Sequence, residues 1–303
     1  MLTTSTRRLA AAVGAVWLAS AGAALAQTQS DPIDVTGRTP EQAQHFVEQL
    51  AVAPGSGDQL ARWDRTICTS VAGLPARQGQ FIADRIAQRA HAVGLQPGAP
   101  GCTANIAVIA TADSDTAARR MYESDAGLFA LRQTNTATLG QSALDDFLNT
   151  PRAVRWWHVA ETMTADGFSL MGDASSGGME NAPVARSSGS RLREDTRQDL
   201  NRAVIIIDSR RVQGVQLHAL ADYIAMVALA QIDAGADTSG YPTVMNLFAD
   251  GQARTQAANG MTDWDTAYLD GLYSSTRTAA TPGQQEREIT RRMLASAGGG
   301  GAP

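Results

Sequence analysis

Leu217-His218-Ala219-Leu220-Ala221-Asp222-Tyr223-Ile224-Ala225-Met226-Val227-Ala228-Leu229-Ala230-Gln231-Ile232-Asp233 decides the architecture of this chain. Leu220, Ile224, Val227, Leu229 and Ile232 cover most directions around a helix, and a helix that is apolar nearly all round belongs in an interior. Before it, Ala203-Val204-Ile205-Ile206-Ile207 is a β-branched run with the character of a buried strand, closed by Asp208. After it come Tyr241-Pro242-Thr243-Val244-Met245-Asn246, a proline-started turn, and Met261-Thr262-Asp263-Trp264-Asp265, which caps a helix ending in Leu272-Tyr273.

Working outward toward the N-terminus, Thr39-Pro40-Glu41-Gln42 is a capping box with proline at the first helical position, so Pro40–Ala51 reads as a helix. Leu60–Val71 reads as a strand. Phe81, Ile82, Ile86, Ala90 and Val93 recur at helical spacing through Ala76–Val93, which Gly94 ends. Ala104–Ala110 reads as a central strand, completing a strand–helix–strand unit. Asp115–Leu131 and Ser142–Leu148 read as helices, and Val154–Ala160 as an alternating, exposed strand with one of the indoles of Trp156 and Trp157 inside and one outside. Asp166–Arg191 is a polar loop or hairpin, and Gln284–Leu294 a last surface helix. Ile33-Asp34-Val35 completes the set as a short strand.

The order of buried strand, apolar helix, methionine turn and a C-terminal helix ending in Leu-Tyr resembles the second half of a metzincin zinc protease. It also resembles an exported bacterial family of unknown function whose metzincin-like core has lost its zinc motif. Ala104-Asn105-Ile106 matches that family's Ala-Asn-Ile strand start. Met261 through Tyr273 matches its Leu-Thr-x-x-Asp-x-x-x-Leu-x-x-Leu-Tyr ending everywhere except at Met261. The resemblance spans roughly residues 60 to 275. It implies an α+β fold in which a mixed twisted sheet carries a backing helix and a buried central helix, followed by C-terminal helices. A metzincin needs His-Glu-x-x-His-x-x-Gly-x-x-His to hold zinc and supply a base. Aligned on the apolar helix, those five positions fall on Ala221, Asp222, Ala225, Ala228 and Gln231, so the resemblance implies a scaffold without the metal ligands. Shifting back three residues pairs His218 with Asp222 but leaves Ala219 at the base position. The groove candidates are therefore His218, Asp222, Tyr223 and Met245, with no catalytic residue, metal or cofactor expected. His218 bordering the helix and Asp222 bonding a neighbouring loop is the bland account of that pair.

The chain has 303 residues and a formal net charge of −5. Thr6-Arg7-Arg8, an Ala/Val/Leu run and Ala24-Leu25-Ala26 read as a secretory signal over residues 1–26, with a membrane anchor as the competing reading. Its removal takes the charge to −7, which disfavours a nucleic-acid partner. Later apolar runs fall short of the roughly 20 residues needed to span a bilayer. Cys68 and Cys102, an even pair in an exported chain, are expected to form a disulfide and too few to make a zinc site. One domain over 31–295, a disordered tail at 296–303 and a periplasmic or secreted location complete the outline.

His45, His91 and His158 are scattered, Ser187-Ser188-Gly189-Ser190 lacks a strand–turn–helix setting, and Gly177-Gly178 precedes no helix. Arg186, Arg191, Arg193, Arg197 and Arg202 are interleaved with Glu194, Asp195 and Asp199, as on a solvated mixed-charge face. The expectation is a non-catalytic, metzincin-like exported protein whose groove holds a peptide or envelope partner or serves only as packing. The alternatives are a metal-dependent hydrolase around His218 and Asp222, or an envelope assembly factor working through the Trp156–Arg202 region.

Overall fold

A five-stranded mixed sheet in the order β1-β2-β5-β4-β3 organises the molecule. The computed structural model describes residues 38–55, 58–131, 133–170, 189–251 and 258–298. The expected signal segment, the Ile33–Val35 strand and most of the Asp166–Arg191 loop lie outside those residues. No helix among the described residues is long and apolar enough to cross a membrane.

β1 (Thr69–Ala72), β2 (Ile106–Thr111) and β5 (Thr196–Asp208) run parallel to one another, β4 (Val154–Thr164) runs antiparallel to β5, and the two-residue β3 (Thr136–Ala137) pairs antiparallel to β4. Helix α2 (Ala76–Ala92) links β1 to β2, and the central helix α5 (Leu217–Leu229) follows β5. One core packs Ile106, Val108, Ile205, Ile207 and Trp156 against α2 and α5. A second packs Val204, Ile206, Trp157 and Val159 against α3 (Ser114–Ser124), a 3₁₀ turn at Ala126–Phe129 and α4 (Gly140–Asn149). Because side chains alternate across a strand, these two sets belong to opposite sheet faces, so the fold has three layers.

The second layer corrects the expectation for β4. Trp156 and Trp157 are both buried, and their indole N–H groups donate to the carbonyls of Ile232 at 3.0 Å and Phe129 at 3.1 Å. Three boundaries also differ. The strand expected over Leu60–Val71 starts only at Thr69 and runs to Ala72, since Arg62 meets Gln198 and Leu200 through a single isolated bridge. The helix expected to reach Leu131 stops at Ser124, where the Asp125 side chain accepts from Gly127 N and starts the 3₁₀ turn. The last helix, α7, spans Pro282–Gly298 and continues beyond Leu294.

α1 (Pro40–Leu50) and α6 (Asp263–Ser274) both begin with full capping boxes, Thr39 with Gln42 and Thr262 with Asp265. Phe46 joins them through ring contacts of 5.2 Å to Trp264 and 6.2 Å to Tyr268. Cys68 and Cys102 form a disulfide with Cα atoms 6.0 Å apart, joining the approaches to β1 and β2.

All of α5 from Ala219 onward is buried, so its last carbonyls need partners inside the protein. Ala230 N reaches Met226 O at 3.2 Å, Trp63 Nε1 reaches Ala228 O at 2.8 Å and Tyr273 Oη reaches Leu229 O at 2.6 Å. His158 hydrogen-bonds the Val227 backbone. Removing the Tyr273 hydroxyl with Tyr273→Phe strands one carbonyl, and urea denaturation is expected to show a loss of about 1–2 kcal/mol.

Candidate functional site

A cleft runs along the outer edge of β4. Its first lobe, of about 710 Å³, is lined by Trp156, Tyr223, Asp233, Asp237, Met245 and Phe248 among others. The second, of about 730 Å³, is lined by Val52, Pro54, Leu139, Phe147, Trp157 and Ile232, and shares Arg152, Trp156 and Asp233 with the first. β3 pairs with β4 only at Ala160 and Glu161, which leaves the edge from Val154 to Trp156 to the cleft.

Backbone direction follows from one bond. Asp208 N donates to Ala153 O at 2.9 Å, so Ala153, Arg155 and Trp157 turn their polar groups toward β5. Val154 and Trp156, between them, turn N–H and C=O away from β5. No hydrogen bond among the described residues reaches those groups.

The four groove residues proposed from sequence separate into two pairs. Tyr223 and Met245 line the first lobe. Tyr223 is 5% exposed, stacks edge-on against Phe248 at 5.0 Å and Trp156 at 6.2 Å, and burial raises its phenol above the ordinary range. Met245 sits on a 3₁₀ turn at Val244–Gly251. Asp222 and His218 line neither lobe. The Asp222 carboxylate is held by Arg89 at 3.0 and 3.1 Å, lies 3.6 Å from Arg85, and accepts Met261 N at 3.0 Å. Gly260 is needed beside it, since a Cβ there would come within 2.8 Å of Oδ2. His218 Nε2 meets Asn259 Oδ1 at 2.7 Å.

Asp222 therefore staples α5 to α2 and to the chain entering α6. It also sets the rotation of α5: successive residues lie 100° apart, so with Asp222 facing α2, Tyr223 faces the β4 side. The helix position that reaches the cleft is Tyr223, two beyond Ala221, and the position after the helix is Asp233, two beyond Gln231. Ala221, Ala225 and Ala228 are fully buried packing. Asp233 was not singled out from sequence. The signal for it is its spacing of ten from Tyr223, visible only once the rotation of α5 is known.

The cleft floor is tied down by Asp265, which is fully buried. Its carboxylate accepts from Val244 N at 2.9 Å, Thr262 N at 2.8 Å and the hydroxyls of Thr262 and Thr243. Burial raises this carboxyl above its ordinary range, against the pull of those hydrogen bonds. Behind the cleft, His158 is fully buried with Nε2 unpaired, which leaves Nδ1 to meet the Val227 backbone, and the Gln231 amide bonds none of the described residues. Burial lowers the His158 imidazole to about 4, with the Val227 contact opposing. Among the described residues, no three His, Cys, Asp or Glu side chains gather in a metal-holding group.

No protein-family model, curated protein or solved structure matches this chain.

Two outcomes test these assignments. Asp222→Asn leaves Arg89 without its bidentate partner and is expected to cost about 2 kcal/mol in urea denaturation. His158 is neutral when folded, with its folded value of about 4 below its ordinary 6.5. Its contribution is therefore fully present above about pH 6.5 and is lost as the pH falls toward 4, a drop of about 3 kcal/mol. Comparing urea midpoints at pH 7 and 4.5 is expected to show a steeper acid loss in the wild type than in His158→Gln.

Proposed function

We propose that this chain is an exported, non-catalytic protein with a metzincin-like core, and that its cleft holds a peptide in extended conformation. The carrying observation is the cleft along β4, with the N–H and C=O groups of Val154 and Trp156 turned toward it. An extended chain laid beside a free sheet edge satisfies such groups in pairs, and flanking pockets take alternate side chains.

Support for the metzincin-like core comes from element order and spacing. A backing helix α2 lies beside a buried helix α5 after a parallel strand, followed by a turn carrying Met245 and a capped helix. Tyr223 and Asp233, ten residues apart, line one lobe together with Met245. Ten is the spacing between the first and third histidines of the metzincin motif. In that register the motif positions hold Tyr223, Ile224, Val227, Ala230 and Asp233, which supply neither an imidazole nor a general base beside one. Support for export comes from the apolar leader at 1–26 and the Cys68–Cys102 disulfide.

A hydrolase centred on His218 and Asp222 has less support, because both Asp222 oxygens are engaged by Arg89 and Met261 N. An assembly role for the Trp156–Arg202 region is favoured by no separate observation.

Amide hydrogen exchange tests the proposal. A pool of blocked, extended hexapeptides is expected to slow exchange at Val154 and Trp156 while leaving Ile205 unchanged. The same pool N-methylated at every residue, which blocks both edges of the extended chain, is expected to have no effect. Equal protection by both pools, or none by either, would overturn it.

A further inference from the structure

Among the described residues lining it, the first lobe of the cleft carries more negative charge than positive. Asp233 and Asp237 stand exposed at its rim. Each spends one oxygen on a local turn: Asp233 Oδ1 accepts Gly235 N at 2.8 Å, and Asp237 Oδ1 accepts Ser239 N at 3.1 Å and Ser239 Oγ at 2.7 Å. The second oxygen of each has no partner among the described residues. Arg152 is the one cation on the described lining of this lobe, and it is already matched. Its Nη2 contacts the two oxygens of Asp146 at 3.2 and 2.9 Å, and its Nη1 donates to Ala234 O at 2.6 Å.

Beneath the rim lies an aromatic and thioether surface of Trp156, Tyr223, Phe248 and Met245, all nearly buried. A second and independent feature sits there. Tyr223 is 95% withdrawn from solvent, yet its hydroxyl has no hydrogen-bond partner among the described residues. An unpaired hydroxyl on an otherwise buried ring that lines a cavity is open to a ligand that brings a donor. The neighbouring lobe is different in character, bounded by Val52, Pro54, Leu139, Phe147, Trp157 and Ile232.

From this combination we infer that the first lobe takes the guanidinium of an arginine side chain in the bound peptide, while the second lobe takes an apolar neighbour. An arginine lays its methylene stem on Met245 and the rings. Its planar head stacks on aromatic faces while its N–H groups reach several acceptors at once: the free oxygens of Asp233 and Asp237 at the rim and the Tyr223 hydroxyl below. Lysine offers a compact charge that keeps more of its hydration and stacks less well. Acidic peptides meet two carboxylates and no free cation.

This specificity rests on the peptide reading of the cleft, and one titration separates the two. The probes are three blocked hexapeptides, acetyl-Ala-Ala-Leu-X-Ala-Ala-amide, with X as arginine, norleucine or glutamate. Binding is followed through the amide and indole resonances of Trp156. Against the wild-type chain, the arginine peptide is expected to bind at least about tenfold tighter than the norleucine peptide, and the glutamate peptide weakest. Raising the salt to about 0.5 M is expected to shrink that preference by screening exposed charges. The double variant Asp233→Asn, Asp237→Asn keeps the oxygens that serve the local turns, so its urea midpoint is expected to match the wild type. In it the arginine preference is expected to fall to within about threefold. Norleucine binding as tightly as arginine, or a preference that survives in the double variant, would overturn the inference while leaving the peptide cleft standing. If none of the three moves the Trp156 resonances, both fall together.

Discussion

Burying the C-terminal end of α5 is the constraint from which the remaining structure follows. A helix that ends inside a protein exposes four carbonyls to an environment without water, each costly to leave unpaired. Here one is met by the chain itself at Ala230, and three by side chains from separate parts of the sequence: Trp63 before β1, His158 on β4 and Tyr273 on α6. Each donor is a polar tip on a largely apolar ring, so it can cap a carbonyl without breaking the packing around it. Fixing α5 in this way also fixes the segment around Trp63, the central part of β4 and the end of α6 relative to one another. The stretch from Leu60 to Trp63 is irregular yet buried for the same reason: Trp63 must reach Ala228, and Arg62 must cap the end of α6 through Leu272 O and Ser275 O.

The cleft inherits its geometry from this arrangement. Trp156 belongs to both, packing on the α5 side of the sheet, donating to Ile232 O just past the helix and forming part of both lobes. The chain leaving α5 therefore runs close to β4 and forms the opposite wall through Asp233 and the turns after it. An open sheet edge would ordinarily be a liability for self-association. Here β3 covers one end of β4 and the cleft walls flank the other, so access is limited to what fits between them.

Much of this was legible in the chain. The apolar circumference of α5, the capping boxes at Thr39 and Thr262 and the β-branched run at Ala203–Ile207 each depend on residues close in sequence, and each appears where local chemistry puts it. The Cys68–Cys102 disulfide was readable from the even cysteine count together with the export expected of the leader-like segment. The depth of Trp157 was not, because the layer that covers it is built from α3, α4 and a 3₁₀ turn whose individual apolar signals are short. Which helix residue faces the cleft was not legible either. The choice between Ala221 and Tyr223 is made by the rotation of α5, and that rotation is set by Asp222 gripping Arg89, a partner far away in sequence. Local pattern identifies a buried helix but leaves its azimuth to long-range ion pairs.

Asp265 and residues 233–239 hold the two walls of the cleft by different means. One buried carboxylate gathers the methionine-bearing turn and the first turn of α6 onto a single point, so those two segments can only move as one body. The facing wall, residues 233–239, combines local turns at Asp233 and Asp237 with three long-range anchors: Asp233 N donates to Leu50 O at 3.1 Å, Arg152 Nη1 to Ala234 O at 2.6 Å and Thr238 Oγ1 to Asn246 Oδ1 at 2.8 Å. A bulkier occupant of the proposed cleft would have to move the two walls together or break the Thr238–Asn246 contact that joins them. Substitutions within that seven-residue stretch would reshape the proposed cleft while the Asp265-held turn and helix start stay in place.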